Sequence, residues 1–305
     1  MKYYFVINPL AGSGADRDLL LKQIELFKKD NDAEIYYTKA EKDATRFVKE
    51  TCLKDNNEYC FIACGGDGTI NEVFTGALAH TNAYVSVFPC GSGNDFVKCF
   101  KKDSFKDVSF LSKKNVFMMD VVSVNDRYCF NVANFGFDTT VAEQVNSDRK
   151  KHGHGNKNSY TKGIIKALLF SMKSNVKVYV NDELLNKDGK CLLCTISNGQ
   201  YVGGSFNCAP RGLLNDGLLE VCLVKCVSRI KFFSLIGDYT NGKHLDNEKA
   251  KNTIIYRRAN KVKVTSSESF GYTLDGEIIH DTEMNISVLP KVLKVIVPGK
   301  PLYEE

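Results

Sequence analysis

Cys64-Gly65-Gly66-Asp67-Gly68-Thr69-Ile70-Asn71-Glu72 joins an apolar run, Tyr59-Cys60-Phe61-Ile62-Ala63, to a helical pattern. Three glycines let the backbone close tightly around a ligand and turn its N–H groups inward. Thr69 followed by Glu72 has the spacing of a capping box and predicts a helix over Ile70–His80. A helix N-terminus behind a glycine turn favours anions, phosphate above all. Asp67 adds a carboxylate where a nucleotide or its metal would sit. A sharp strand-to-helix turn would use the same glycines; the embedded Asp and Thr favour the phosphate reading.

Outward from this motif, the first third of the chain alternates strand and helix. Tyr3–Ile7, Glu34–Thr38, Tyr59–Ala63 and Tyr84–Phe88 are apolar and rich in β-formers. Between them, Leu20, Ile24 and Phe27 recur at helical intervals, and Ala44, Phe47 and Val48 mark a second helix. Repeated strand–helix units with nearly continuous apolar strands predict a parallel sheet covered on both faces. Ligands of such sheets bind outside the carboxyl ends of the strands.

Beyond about residue 120 the texture changes to strands, at Val116–Val124, Cys129–Ala133, Val176–Val180, Cys191–Ser197, Leu218–Val224, Val262–Thr265, Asn285–Leu289 and Val292–Val297. Turn residues such as Asn125-Asp126 and Asn215-Asp216-Gly217 separate several of them, which predicts an antiparallel β domain. One helix is expected around Tyr160–Met172. The expected organisation is an α/β nucleotide-binding domain over 1–122, a β-sandwich domain over 123–290, and a segment over 291–305 that returns to the first domain.

Composition narrows the class. The chain has 305 residues, 43% hydrophobic and 25% charged, as in ordinary globular proteins. No apolar run approaches the roughly 20 residues of a membrane helix, and Met1-Lys2-Tyr3-Tyr4 enters a strand without a secretory signature. A cytoplasmic location, peripheral to the membrane, is expected. The eleven cysteines are odd in number and sit mostly in apolar runs, as free core thiols do in a reducing compartment. A net charge of +5 with no aromatic-interleaved basic stripe argues against a nucleic-acid partner. The basic run Arg149–Lys157 is open to two readings, a solvated loop or a contact with an anionic membrane.

Two further glycine turns end predicted strands. Asn8-Pro9-Leu10-Ala11-Gly12-Ser13-Gly14 is neither a P-loop nor a full dinucleotide fingerprint. Pro89-Cys90-Gly91-Ser92-Gly93-Asn94-Asp95-Phe96 offers a possible helix cap. Three such turns on one sheet edge point to a nucleotide polyphosphate site.

Asn8-Pro9…Gly12, Gly65–Glu72 and Gly91–Phe96 closely resemble the diacylglycerol kinase catalytic-domain family, which includes bacterial lipid kinases and the sphingosine and ceramide kinases. The likeness continues in order through Asn131–Asp138, Ser197–Gly199, Tyr201–Gly204, Asn215–Leu219 and Leu274–Glu277, over nearly the whole chain. The resemblance implies an ATP-binding α/β domain and a β-sandwich domain with the active site between them. It places Asn8, Pro9, Leu10, Ala11, Gly12, Thr38, Gly65, Gly66, Asp67, Gly68, Thr69, Ile70, Asn71, Glu72 and Ser92 at ATP. It makes Glu277 the general base with Asp275 beside it, and sets Asp95 and Asp120 near the reacting phosphate and its magnesium. Asp216 with the carbonyls of Leu213 and Leu218 matches a structural Mg²⁺ site. One departure stands out: many relatives carry Lys where this chain has Ser13, and Arg17 is a candidate replacement.

The implied function is an ATP- and Mg²⁺-dependent kinase of a membrane lipid hydroxyl, with diacylglycerol first among acceptors and phosphatidic acid as product. Another lipid (a sphingoid base, phosphatidylglycerol or a polyprenol), a soluble acceptor such as NAD, and a non-catalytic nucleotide- or lipid-binding regulator stay open. Homodimerisation is open too. Phosphoryl transfer depends on positioning and charge neutralisation, and a carboxylate such as Glu277 that takes the hydroxyl proton contributes roughly 10²–10⁴-fold.

Overall fold

The computed structural model describes residues 1–12, 14–91, 93–152, 163, 166–168 and 171–304. The chain divides into two compact units: Met1–Val121 with Leu214–Asp216 and Leu289–Glu305, and Val122–Leu213 with Gly217–Val288. Ser13, Ser92 and most of the expected helix over Tyr160–Met172 lie outside the described residues, as do residues 153–157 of the basic run.

In the first unit, β1 (Lys2–Ile7), β2 (Ala33–Tyr37), β3 (Tyr59–Gly65) and β4 (Ala83–Pro89) pair in parallel in the order β4-β3-β1-β2. Phe5 sits in register with Ile35 on one side and Ile62 on the other, and Phe61 with Val85. Every residue of β3 is buried, which explains its unbroken apolar sequence: helices cover both faces of a central strand. Those helices are α1 (Gly14–Phe27), α2 (Asp43–Cys52) and α3 (Asp67–Ala77). Helix α2 is fixed by Asp43, whose carboxylate accepts the Lys39 N–H and the Tyr36 hydroxyl, both at 2.9 Å. The Tyr36 ring stacks on Phe47, with centroids 3.7 Å apart. After β4, Phe96, Phe100, Phe105 and Phe110 form a chain of mostly edge-on aromatic contacts that begins at Phe74 of α3. This packing fixes the segment after the third glycine turn against the helix after the second.

The second unit is an antiparallel ladder. Its strands are β7 (Val132–Gly136), β10 (Leu193–Ser197), β11 (Leu219–Val224), β12 (Ile254–Ala259), β13 (Lys261–Leu274) and β14 (Glu277–Ile296), in the order β12-β11-β10-β7-β13-β14. The hairpin β8 (Lys177–Val180) with β9 (Glu183–Leu184) adds to β13, and β5 (Val116–Val124) pairs with β6 (Arg127–Cys129). Val122, Phe135, Ile196, Val221, Val264 and Met284 belong to one core cluster. A second cluster packs α4 (Phe137–His152) and α5 (Arg229–Thr240) through Phe137, Val141, Phe232 and Tyr239.

The chain is thus an N-terminal α/β region with parallel strands and a C-terminal antiparallel region, the predicted fold class. Several expected elements differ in extent. Cys129–Ala133 is not one strand, because the chain leaves β6 at Cys129 and re-enters β7 at Val132. The two strands expected at Asn285–Leu289 and Val292–Val297 are one, β14. Its far end pairs in parallel with β4 at Val295–Val85, inside the first unit. All eleven cysteines are free, nine of them buried.

Candidate active site

The three glycine turns lie at the carboxyl ends of β1, β3 and β4, and several of their glycines are needed because the turns touch one another. A Cβ on Gly91 would overlap Gly66 Cα, and one on Gly93 would overlap Asp67 Oδ2. Gly65 carries no side chain because Thr69 occupies that space. The Gly65 carbonyl accepts the N–H groups of Cys90 and Gly91 at 2.9 and 3.1 Å. Asn8 donates its N–H to the Cys64 carbonyl at 3.1 Å, and its side-chain oxygen accepts the Leu10 N–H at 2.9 Å. Arg17 donates to the carbonyl oxygens of Pro9 and Ala11, so its guanidinium lies along the first turn. Thr38, just past β2, donates its N–H to Ile7 at 2.9 Å.

Asp67 ties two of these turns together. One of its carboxylate oxygens accepts the Asn94 N–H and the other the Asp95 N–H, each at 2.9 Å. A charge-assisted pair of this kind is about twice as strong as neutral hydrogen bonds, so Asp67 is a clamp on the third turn. The sequence cannot show this partner, which lies 27 residues away.

Helix α3 starts at Asp67 rather than Ile70, with Gly66 as N-cap and no side-chain cap. The capping-box expectation is therefore corrected. Thr69 is inside the helix, with its hydroxyl 3.4 Å from Asn8 Nδ2. Glu72 turns outward to cap α2: its oxygens accept the N–H groups of Lys42 and Ala44 at 2.9 and 3.1 Å. Ile70 is buried in the core, and Asn71 accepts from Thr75.

Gly68 differs from its neighbours. A Cβ there would meet nothing within 4 Å. Its φ is not positive, so neither packing nor backbone geometry requires glycine at this position. An open glycine in the first turn of a helix with no side-chain cap is a cradle that an anion can enter. The residues present fit a phosphate chain there.

Two further acidic positions are in the first unit. Asp95 is 2.6 Å from Lys98 Nζ and largely buried. Asp120 is fully buried; it accepts the Lys291 N–H at 2.7 Å and donates its own N–H to the Leu214 carbonyl at 2.8 Å. The Leu214 N–H reaches the Tyr303 hydroxyl at 2.9 Å. Burial, reinforced by the Asp216 charge, pushes the Tyr303 hydroxyl pKa well up. Asp216 falls in the first unit and Leu213 and Leu218 in the second. The Asp216 carboxylate is a hard oxygen donor of the kind Mg²⁺ takes. Among the described residues, no group of three or more His, Cys, Asp or Glu is gathered for a metal.

In the second unit, Leu274-Asp275-Gly276-Glu277 is the two-residue turn of the β13–β14 hairpin. Positive φ at Asp275 (47°) and Gly276 (90°) gives the primed type that matches strand twist. Asp275 is held by one neighbouring segment, Cys129 to Val132. It accepts the N–H groups of Phe130, Asn131 and Val132 at 2.8, 3.0 and 3.1 Å, and lies 3.1 Å from Cys129 Sγ. Burial, then the Asp275 charge, pushes the Cys129 thiol pKa well up. Glu277 points outward, with its side chain 56% exposed and Arg127 Nη1 at 3.4 Å. Arg127 carried no signal in the sequence. Asn131 explains a motif: a Cβ on Gly199 would overlap its Oδ1, and its carbonyl accepts the N–H groups of Asn198 and Gly199 at 2.9 and 3.1 Å.

With this geometry in hand, comparison with known proteins is direct. Residues 2–124 match the diacylglycerol kinase catalytic domain, and 131–297 match the YegS C-terminal NAD kinase beta sandwich-like domain. The diacylglycerol kinase of Bacillus subtilis (strain 168) is 30% identical over 278 residues, 89% of this chain and 88% of that protein. A protein of Alcanivorax borkumensis named "Probable lipid kinase YegS-like" is 26% identical over 264 residues, 85% of each chain. The crystal structure of a diacylglycerol kinase from Bacillus anthracis str. Sterne shares the fold, with a TM-score of 0.72, 21% identity, and coverage of 97% of this chain and 96% of that one. Matched in both halves, in order and nearly end to end, the chain belongs to the diacylglycerol kinase and YegS-like family of lipid kinases.

Proposed function

We propose that this kinase transfers the γ-phosphoryl group of ATP to the hydroxyl of diacylglycerol, with Mg²⁺, to give phosphatidic acid. The observation that carries the donor half is the open cradle at Gly68, a glycine that neither packing nor φ requires. The N–H groups of the first turn of α3 and the positive end of its dipole hold the phosphates. Asp67 keeps the third turn in position beside them by its two N–H contacts. Mg²⁺ would supply charge neutralisation on the phosphates when bound, and Asp216 would be the carboxylate of the structural ion.

On the acceptor side, Glu277 takes the hydroxyl proton as the oxygen attacks phosphorus and the bond to ADP breaks. Its exposure leaves it accessible, with the Arg127 guanidinium beside it at 3.4 Å. Asp275, pinned by three N–H groups, is a positioning residue for the hairpin that carries Glu277. The acceptor choice rests on the 30% identical Bacillus subtilis relative, a diacylglycerol kinase.

The test is an acceptor panel with γ-labelled ATP: diacylglycerol, a sphingoid base, phosphatidylglycerol, a polyprenol and NAD in parallel. Label is expected in phosphatidic acid above all. Label in NAD alone would overturn the lipid reading, and label in another lipid would overturn the acceptor.

A further inference from the structure

Helix α5 presents large apolar side chains on two opposite faces. Phe232, Leu235 and Tyr239 are buried, and Phe232 packs on Phe137 of α4 with ring centroids 4.8 Å apart. On the outer side, Ile230 is 84% exposed and Phe233 62% exposed, in the first two turns of the helix. An outward-facing Ile and Phe at i, i+3 spacing form an interaction surface, since a helix normally directs such residues inward.

The charge around them is mainly positive. The first turn of α5 contains Arg229 and Lys231 and no acidic residue. Cations at the positive end of a helix dipole are repelled by it, so this placement weakens the isolated helix; Arg229 donates to the Leu168 carbonyl at 2.8 Å. Lys231 Nζ donates to the Lys249 carbonyl at 2.8 Å, which brings a second exposed lysine segment alongside, and Lys225 is exposed just before the helix. The nearby acid Glu248 is 3.5 Å from Lys251.

We infer that the N-terminal half of α5 is a membrane-docking face: Ile230 and Phe233 enter the headgroup–acyl boundary of an anionic bilayer while Arg229, Lys231 and Lys249 meet lipid phosphates. Apolar residues flanked by Lys and Arg are the composition of helices that lie in the interface plane. A second copy of the chain fits less well, because a two-fold contact would place these cations against themselves. The inference rests on the lipid-kinase reading, since an enzyme acting on a bilayer lipid must reach the bilayer.

Vesicle co-sedimentation at about 0.1 M salt tests it, with phosphatidylcholine vesicles that contain or lack phosphatidylglycerol. The wild type is to be compared with the double variant Ile230→Ser, Phe233→Ser and with Lys231→Glu. We expect the double variant to lose roughly tenfold or more in affinity for the anionic vesicles. Lys231→Glu is expected to lose roughly fivefold or more, on those vesicles only. Both should keep the wild-type melting temperature and wild-type turnover of short-chain diacylglycerol in detergent micelles. Unchanged vesicle binding by the double variant overturns the docking face while leaving the kinase reading intact. A dimer that the double variant dissociates, with vesicle binding unaffected, overturns it in favour of self-association. Absence of micelle turnover in the wild type counts against the kinase reading itself, and the vesicle comparison still decides the face.

Discussion

Glycines in the phosphate-facing turns fall into two physical kinds, and substitution separates them. Gly91 and Gly93 have no room for a Cβ because another turn is already there. Gly91→Ala is expected to force the second and third turns apart and destabilise the fold by about 1–3 kcal/mol, read in a denaturant melt. Gly68 has only open space beside it. Gly68→Ala should stabilise the helix by roughly 0.5–1 kcal/mol while raising the KM for ATP roughly tenfold or more, because the methyl group occupies the phosphate's approach. A stabilised variant with an unchanged KM would remove Gly68 from the donor site. The motif was legible in the sequence as a glycine turn between strand and helix, but not which of its glycines has open space beside it. Nor could it show that the Asp67 carboxylate is engaged by the N–H groups of Asn94 and Asp95. Those facts depend on contacts between turns far apart in the chain.

Among the elements, the strands and helices of the first unit follow the sequence closely, because its central strands β3 and β4 are buried on both faces and their apolar runs have few alternative readings. Helix starts were less legible. Thr69 and Glu72 have capping-box spacing, yet Glu72 caps α2, whose N-terminus it reaches across 28 to 30 residues. Glu72→Ala should therefore lower stability by about 1–2 kcal/mol and leave the KM for ATP unchanged, as a melt and an ATP titration would show. A KM that rises without loss of stability would return Glu72 to the nucleotide. The long hairpin was also read short. Polar residues Ser266 to Ser269 look like a loop, but the ladder shifts register there and continues to Leu274. Helix α5 escaped notice for a related reason: its apolar residues lie on two faces, so it lacks the one-sided stripe by which a surface helix is recognised.

At the level of the whole molecule, acid stability should carry the mark of one buried histidine. Burial in the second unit pushes the His244 pKa down from its ordinary 6.5 to about 4. The unfolded chain then takes up a proton that the folded chain refuses. Stability is fully present above about pH 6.5 and is lost as pH falls toward about 4, with a slope of roughly 1.4 kcal/mol per pH unit. His244→Gln should flatten that part of the profile, measured by melts across the window; a profile identical to wild type would mean that other groups set it. The ordered motifs of both halves match one family, the lipid kinases; the proposed phosphate cradle is at the start of α3 and the proposed base on the β13–β14 turn. The most direct test is the rate of phosphate transfer from ATP to diacylglycerol in detergent micelles by wild type and Glu277→Gln, side by side. Wild type should make phosphatidic acid, and Glu277→Gln should be roughly 10²–10⁴-fold slower with an unchanged KM for ATP. Equal rates for the two, or no phosphatidic acid from the wild type, would contradict the account.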